Sequence, residues 1–407
     1  MLASPATRLL LDRANQFAPQ IQSFLQDLVR IPSVNGRDNE ELVAQRILAE
    51  AQKLRLPSQL TARDAARPNA LVVLGEGQNG FALIGHMDTV AEGKAEDWTY
   101  PPFSATVKGD LLFGRGAADN KAGIACGLYT LALLRDLNLL DLTQQKAILA
   151  GVVDEESGAS STLGVRYLLD SSQLPVQGAI YTYTSDIICI GHRGLLRVEI
   201  TAHGQSAHAG IAEWHNRQLG HNAVTGLADI LLELERLQIF APHPPGFEHL
   251  GCTITPGTLI SGGDYPSIVP NKASAIVDIR LMPGQPAEAV LADVNETIAR
   301  VIARRPGLSA DVMVKVNFPG AAIPIDHALV TTAQDYTEIF TGRRWEAQGA
   351  GPGNEGYMLI GAGIPTLCGF GPTGGNPHAP DEWVSLKSLP VTTAIYAGII
   401  CDYLKTK

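Results

Sequence analysis

The chain has 407 residues, 45% hydrophobic and 18% charged, which describes a globular protein with core enough for two or three domains of about 100–200 residues. Its 31 Lys and Arg against 41 Asp and Glu leave a net charge of −10, which argues against nucleic acid or an anionic membrane as a partner. Five scattered cysteines with no CxxC spacing read as reduced core residues of a cytoplasmic protein. We expect no signal peptide and no membrane span, since no run of about 18 apolar residues occurs.

In chain order, Phe17, Ile21, Phe24, Leu25, Leu28 and Val29 repeat with a helical period, predicting a helix over Gln16–Val29. A second amphipathic helix is expected over Glu40–Leu54. Apolar runs at Ala70–Leu74 and Phe81–Ile84 read as strands, and the second delivers His86 and Asp88 just past its end. Strand alternation points residues i and i+2 to one side, so a histidine and a carboxylate that orients it can sit together. The run from Leu111 to Asn120 ends in Asp119, which the pattern places at the N-terminus of a helix beginning near Lys121. Gln145–Val153 is a strand closing on Asp154-Glu155-Glu156, and Gly178–Tyr181 is another. Three acids in a row are ordinary in a solvated turn, but here they end a run that is apolar on both faces, which favours function. Alternating strands and helices predict an α/β fold with a mainly parallel sheet.

From Leu195 the pattern changes to wet-and-dry alternation. A strand, a helix (219–237), two strands (252–261 and 273–281), a helix (287–303) and a strand (311–317) follow. The order β-α-β-β-α-β is that of a ferredoxin-like domain. We therefore expect residues 195–318 to be inserted into a discontinuous domain made of 1–194 and 319–407. The first fold resumes with a helix at 328–340, the strand Pro365–Gly369, a loop carrying His378 in Asn376-Pro377-His378, and a closing helix at 388–404.

His86 with Asp88, Asp119, Glu155 with Glu156, and His378 thus each follow a strand or open a helix, positions that converge at one edge of an open α/β sheet. Two histidines with two or three carboxylates suit Zn²⁺, Co²⁺ or Mn²⁺. A carboxylate bridging two ions about 3.5–4 Å apart is the plan of a two-metal hydrolase. No GxSxG elbow supports a serine hydrolase instead, and the glycines near Arg115 match neither nucleotide fingerprint.

The motifs GHMDT, GRGAADNKAG, DEESG, GQSAHAG with HNA, VDIRLMPG and FGP…HAPDEWV, in this order over nearly the full length, make the chain resemble the M20 metallopeptidase family, which includes acetylornithine deacetylase and glutamate carboxypeptidase. The resemblance implies a mixed-sheet, zinc-peptidase-like catalytic domain whose inserted ferredoxin-like domain serves as lid and dimer contact. It implies His86 as a metal ligand backed by Asp88, Asp119 as the bridging ligand, Glu156 and His378 as ligands of one metal, and Glu155 as general base. The implied reaction is metal-dependent hydrolysis of the amide bond of an N-acyl amino acid or dipeptide-like substrate with a free carboxylate. The implied assembly is a homodimer. His208 would help hold the oxyanion; read alone it is a surface histidine in a turn. Arg280 would anchor the substrate carboxylate; the alternative is an edge-strand ion pair. Asn222 would contact substrate, or equally cap the helix that follows it.

One position departs from the family's pattern. Where the family carries a further acidic ligand about a dozen residues before HRG or HKG, this chain has Thr182. A neutral hydroxyl is a poor substitute for a carboxylate on Zn²⁺. We expect one ion held firmly by Asp119, Glu156 and His378, and a second, at His86 and Asp119, held weakly or not at all. Asp186 would reach in only if its loop were rearranged. The alternative reading is a catalytically weakened or silent homologue that binds metal or acyl amino acids.

Overall fold

The computed structural model describes residues 5–405, which form two compact units. One comprises the chain up to Gly191, Ala322–Ala350 and the chain from Asn354; the other comprises His192–Ala321 with Gly351–Gly353.

The first unit is built on a six-stranded mixed sheet. Its spatial order is Ser58–Thr61, Asn69–Leu74, Gln145–Val152, Asn79–His86, Gly178–Thr182 and Thr366–Phe370. The first two strands run antiparallel to their neighbours and the last four are mutually parallel. The central strands are buried on both faces, as their unbroken apolar runs require. The helix Ala122–Asp136 is buried from Ala122 to Leu134, so it is a core helix. It lies close because Gly127 faces the sheet: a Cβ there would come within 2.8 Å of Leu149 Cδ1. The closing helix Ser388–Lys405 and the first helix pack in the same layer system.

The first helix extends over Pro5–Arg30, well before the expected start. Leu10 and Ala14 carry the buried stripe backward, and the helix continues through Pro19. Asp119 does not open a regular helix. It lies in a five-residue π-turn, Ala117–Lys121, with the non-helical angles φ −125°, ψ 90°. A small sheet of two- and three-residue strands, Gly374–Gly375, Trp383–Ser385, Leu111–Phe113 and Thr106–Lys108, joins this turn to the loop of His378.

The second unit is a four-stranded antiparallel sheet in the order Thr253–Gly262, Lys272–Leu281, Gly194–His203, Ser309–Phe318, with the helices Ala223–Glu235 and Ala287–Ala303 on one face. Leu196, Val198, Ile200 and Ala202 point inward and interleave with Val277, Ile279, Ile230 and Val294. The helix expected from 219 starts later, because Asn222 caps it: its side chain accepts from Val224 N and Thr225 N. All five cysteines are free; Cys126, Cys189, Cys368 and Cys401 are buried and Cys252 half-buried. Among the described residues, no helix is long and apolar enough to cross a membrane.

Candidate metal centre

The register of the parallel strands sets the site. His86 pairs with Val152, Ile84 with Tyr181 and Thr182 with Phe370, so the chain leaves several strands at one level. The strand ends carry His86 and Thr182, and the turns just beyond carry Asp88 and then Glu155 and Glu156.

His86 is buried. Its Nδ1 lies 3.0 Å from the backbone oxygen of Asp88, and its Nε2 lies 2.8 Å from Asp119 Oδ1. The Asp88 carboxylate stands behind the ring, with Oδ1 3.6 Å from Nδ1. That carboxylate has a second task. It accepts from the Asn35 amide at 2.7 Å, from Glu156 N at 2.9 Å and from Glu155 N at 3.3 Å. Asp88 therefore holds the turn of the two glutamates as well as facing the imidazole. The same turn is tied from outside by Arg67, which donates to both Glu40 and Asp154.

Asp119 offers one oxygen to each histidine. Oδ1 faces His86, and Oδ2 lies 3.1 Å from His378 Nε2. The same His378 nitrogen lies 3.1 Å from Glu156 Oε1. Among the described residues, two sets have ligand atoms within 4.8 Å of one another: Asp119, Glu156 and His378, and His86, Glu155 and Glu156. Ligand atoms around a tetrahedral ion bonded at about 2.0–2.2 Å stand about 3.3–3.6 Å apart. The set of Asp119, Glu156 and His378 fits a divalent ion by both spacing and chemistry.

The electrostatics agree with a cation-seeking site. Burial alone would push the Asp119 carboxyl up, but hydrogen bonds from His378 and His86 hold it well below the usual carboxylate range. His378 is raised to about 10 by its hydrogen bonds to Asp119 and Glu156. For His86, burial disfavours the charged ring, yet the bonds to Asp119 and Asp88 outweigh it and raise its pKa. Glu155 goes the other way from Asp119. Burial raises it well above an ordinary carboxyl, His86 opposes the shift, and the charges of Glu156 and Asp119 add to it. Carboxylates of one site thus have unlike proton affinities, a pattern typical of acid–base assignments.

Thr182 is buried and already engaged. Its hydroxyl has Ile84 O at 3.0 Å and Asn120 Oδ1 at 2.8 Å as acceptors, while its carbonyl accepts from the Asn120 amide. It carries no charge. Asp186 is exposed and stands 3.6 Å from Arg343, so it does not replace the missing acid. Of the ligands expected on this side, His86 and one oxygen of Asp119 remain; the carboxylates of Glu155 and Glu156 come within 4.8 Å of the His86 ring.

The other sequence candidates lie in the second unit. His208 is exposed, and its ring accepts from Gly210 N. Asn222 caps its helix. Arg280 pairs with Asp278, Nε to Oδ1 at 2.7 Å, on the strand Lys272–Leu281. Three buried groups near the ligands carry no sequence signal of their own. Lys121 donates to Leu28 O and Ile31 O, and burial lowers its pKa to about 7. Glu355, raised to about 8 chiefly by burial, takes the Tyr181 hydroxyl at 3.4 Å. Glu382 lies inside the HAPDEWV motif, where nothing in its neighbours assigns it a role; its carboxylate closes on the Asp119 turn.

The family model for peptidase family M20/M25/M40 matches residues 82–402. The uncharacterized protein YgeY of Escherichia coli (strain K12) is 26% identical over 415 aligned residues, covering 98% of each chain. A tripeptidase from Staphylococcus aureus superposes with a TM-score of 0.75 at 20% identity, covering 95% of this chain and 99% of its own. The M20 family metallo-carboxypeptidase Sso-CP2 from Sulfolobus solfataricus gives 0.74 at 17%, covering 94% and 98%. The YXEP protein of Bacillus subtilis, described as a dinuclear metal-binding peptidase, gives 0.71 at 15%, covering 97% and 100%. At these identities the structural likeness speaks for the fold.

Proposed function

Because this chain belongs to peptidase family M20/M25/M40 and is a metallo-hydrolase of peptide type, we propose that it cleaves the amide bond of an N-acyl amino acid or dipeptide-like substrate bearing a free carboxylate. The observation that carries this reading is the meeting of Asp119, Glu156 and His378, with Glu155 beside them. A divalent ion held by Asp119, Glu156 and His378, with zinc as the first choice and Co²⁺ or Mn²⁺ as alternatives, supplies Lewis acidity and a more acidic water. Glu155 takes the proton of the attacking water and returns it to the departing amine nitrogen. Its raised proton affinity suits both halves of that transfer. Asp88 holds His86 and the Glu155–Glu156 turn in place. His208 donates to the developing oxyanion, Arg280 takes the substrate carboxylate and Asn222 adds a polar contact, each from the second unit.

A second ion, beside His86, is bound weakly or not at all, because Thr182 is neutral and its hydroxyl is spent on Ile84 and Asn120. The protein works as a homodimer in the cytoplasm, joined through the inserted unit. In support, the edge strand Thr253–Gly262 presents Leu259 and Ile260, 71% and 65% exposed.

The test is a panel of acetyl, succinyl and formyl amino acids and dipeptides, assayed with added Zn²⁺ or Co²⁺. Hydrolysis of one class is expected. No turnover of any member favours a silent homologue that only binds such ligands, the reading that Thr182 by itself supports.

A further inference from the structure

The turn that carries Asp119 poses a problem in backbone chemistry. It runs Gly114-Arg115-Gly116-Ala117-Ala118-Asp119, with Gly116 at φ 84°, and it precedes the regular helix. Its early N–H groups have no helical acceptors, and buried orphan donors are costly. One side chain satisfies three of them. Glu382 Oε1 accepts from Ala118 N at 2.7 Å and Asp119 N at 2.9 Å; Oε2 accepts from Gly116 N at 3.1 Å. Oε2 also takes Arg115 at 2.8 Å. The Glu382 side chain is 0% exposed.

The same residue is fixed by its own main chain. Gly114 N donates to Glu382 O at 2.9 Å. Immediately after it, Trp383 pairs with Phe113 and Val384 with Leu112. Immediately before it lies the tight loop of His378, in which Asn376, His378 and Asp381 all have positive φ and Asp381 is pinned by Thr99. Glu382 is therefore the point at which the loop of one ligand is bonded to the loop of another.

We propose that Glu382 is a positioning residue for the metal centre: without touching the ion, it locks the Asp119 turn against the His378 loop through three backbone N–H groups. The inference rests on the reading of Asp119, Glu156 and His378 as ligands. Partners behind the ligands matter because a group held loosely must be ordered when the ion binds; losing one commonly costs about 10–100-fold in metal affinity. The competing account makes Glu382 merely the counter-charge of buried Arg115. Geometry favours the first, since three of its four side-chain bonds go to the turn and one to Arg115, whose guanidinium also lies over the Trp98 ring at 5.1 Å.

The experiment measures the Zn²⁺ dissociation constant by competition with a chromophoric chelator, on the folded full-length chain, beside the melting temperature of the metal-free protein. Glu382→Gln keeps the shape but turns an amide N–H₂ toward backbone donors. It should weaken Zn²⁺ binding by about 10–100-fold. Arg115→Met removes the counter-charge and leaves the backbone bonds. It should lower the melting temperature yet keep the dissociation constant within about threefold, because the three bonds that order the ligand turn are untouched. An unchanged constant in folded Glu382→Gln overturns the proposal, as does equal weakening in both variants. If Glu382→Gln does not fold, hydrogen exchange on the metal-free parent decides. Slow exchange at Gly116, Ala118 and Asp119 supports the lock, and fast exchange overturns it. Failure of the parent to bind Zn²⁺ at all would instead strike the ligand assignment.

Discussion

Replacing Glu155 by Gln removes a proton acceptor and little else. The turn around it is held through the main chain: its N–H points to Asp88 Oδ1 at 3.3 Å, and its carbonyl accepts from Gly158 and Ala159 at 3.1 and 2.8 Å. Gln keeps the volume and all three of these bonds. The wild-type carboxylate is buried and its proton affinity is raised, first by burial and then by Glu156 and Asp119. Glu156, the next carboxylate in the same turn, already faces His378 at 3.1 Å, so it cannot take over the transfer. A positioned general base contributes about 10²–10⁴ in rate, or about 3–5 kcal/mol of barrier. Turnover on the best substrate of the panel should fall by that factor. Zinc content after dialysis should be unchanged, because Asp119, Glu156 and His378 are intact. Turnover within about tenfold of the parent would remove Glu155 from the mechanism. Loss of zinc would show that Glu155 is a ligand and that its role and that of Glu156 are exchanged.

Arg280→Ala should raise KM about 10–100-fold for substrates with a free carboxylate, the loss of one charged hydrogen-bonded contact. An equal loss with an amidated analogue would reduce Arg280 to the partner of Asp278. Thr182→Val deletes the one hydroxyl proton that Ile84 O and Asn120 Oδ1 share, at a cost of about 1–3 kcal/mol of stability by denaturant titration. Its zinc content should stay as in the parent, and a fall would make the hydroxyl a ligand. Glu355 has a folded pKa of about 8 against 4.5 ordinarily, so the folded chain holds this proton more tightly than the unfolded chain. The associated stability is complete below the unfolded value and is lost as pH rises through 8. Glu355→Gln, which stays neutral, should gain in melting temperature relative to the parent between about pH 5 and 9; parallel curves would mean that Glu355 does not titrate there.

Much of this architecture can be read from residue order because apolar runs and period-2 alternation are local signals. The runs Phe81–Ile84 and Ala147–Val152 are buried on both faces and fall where the apolar stretches are. The ligand candidates follow from the same logic, since they stand just beyond strand ends. What local pattern cannot carry is pairing at long range. The strand Trp383–Ser385 has three residues and no periodicity; only its register with Leu111–Phe113 gives it meaning. For that reason Glu382 is visible in the sequence as a letter in a motif but not as the acceptor of the Asp119 turn. Asp88 reads there only as the carboxylate behind His86, because its bonds to Glu155 N and Glu156 N depend on two strands lying side by side. The pattern puts Asp119 at a regular helix start. The turn Ala117–Lys121 instead gives it extended angles that let its two oxygens face two different histidines.

The proposed chemistry depends on a divalent ion held by side chains from three loops. Anomalous X-ray scattering at the zinc edge, from crystals grown with the metal and then back-soaked, locates and counts it. One strong peak is expected about 2.0–2.2 Å from ligand atoms of Asp119, Glu156 and His378, and a weak peak or none beside His86. No density among those three residues would contradict it outright, and two peaks of equal strength would contradict the part played by Thr182.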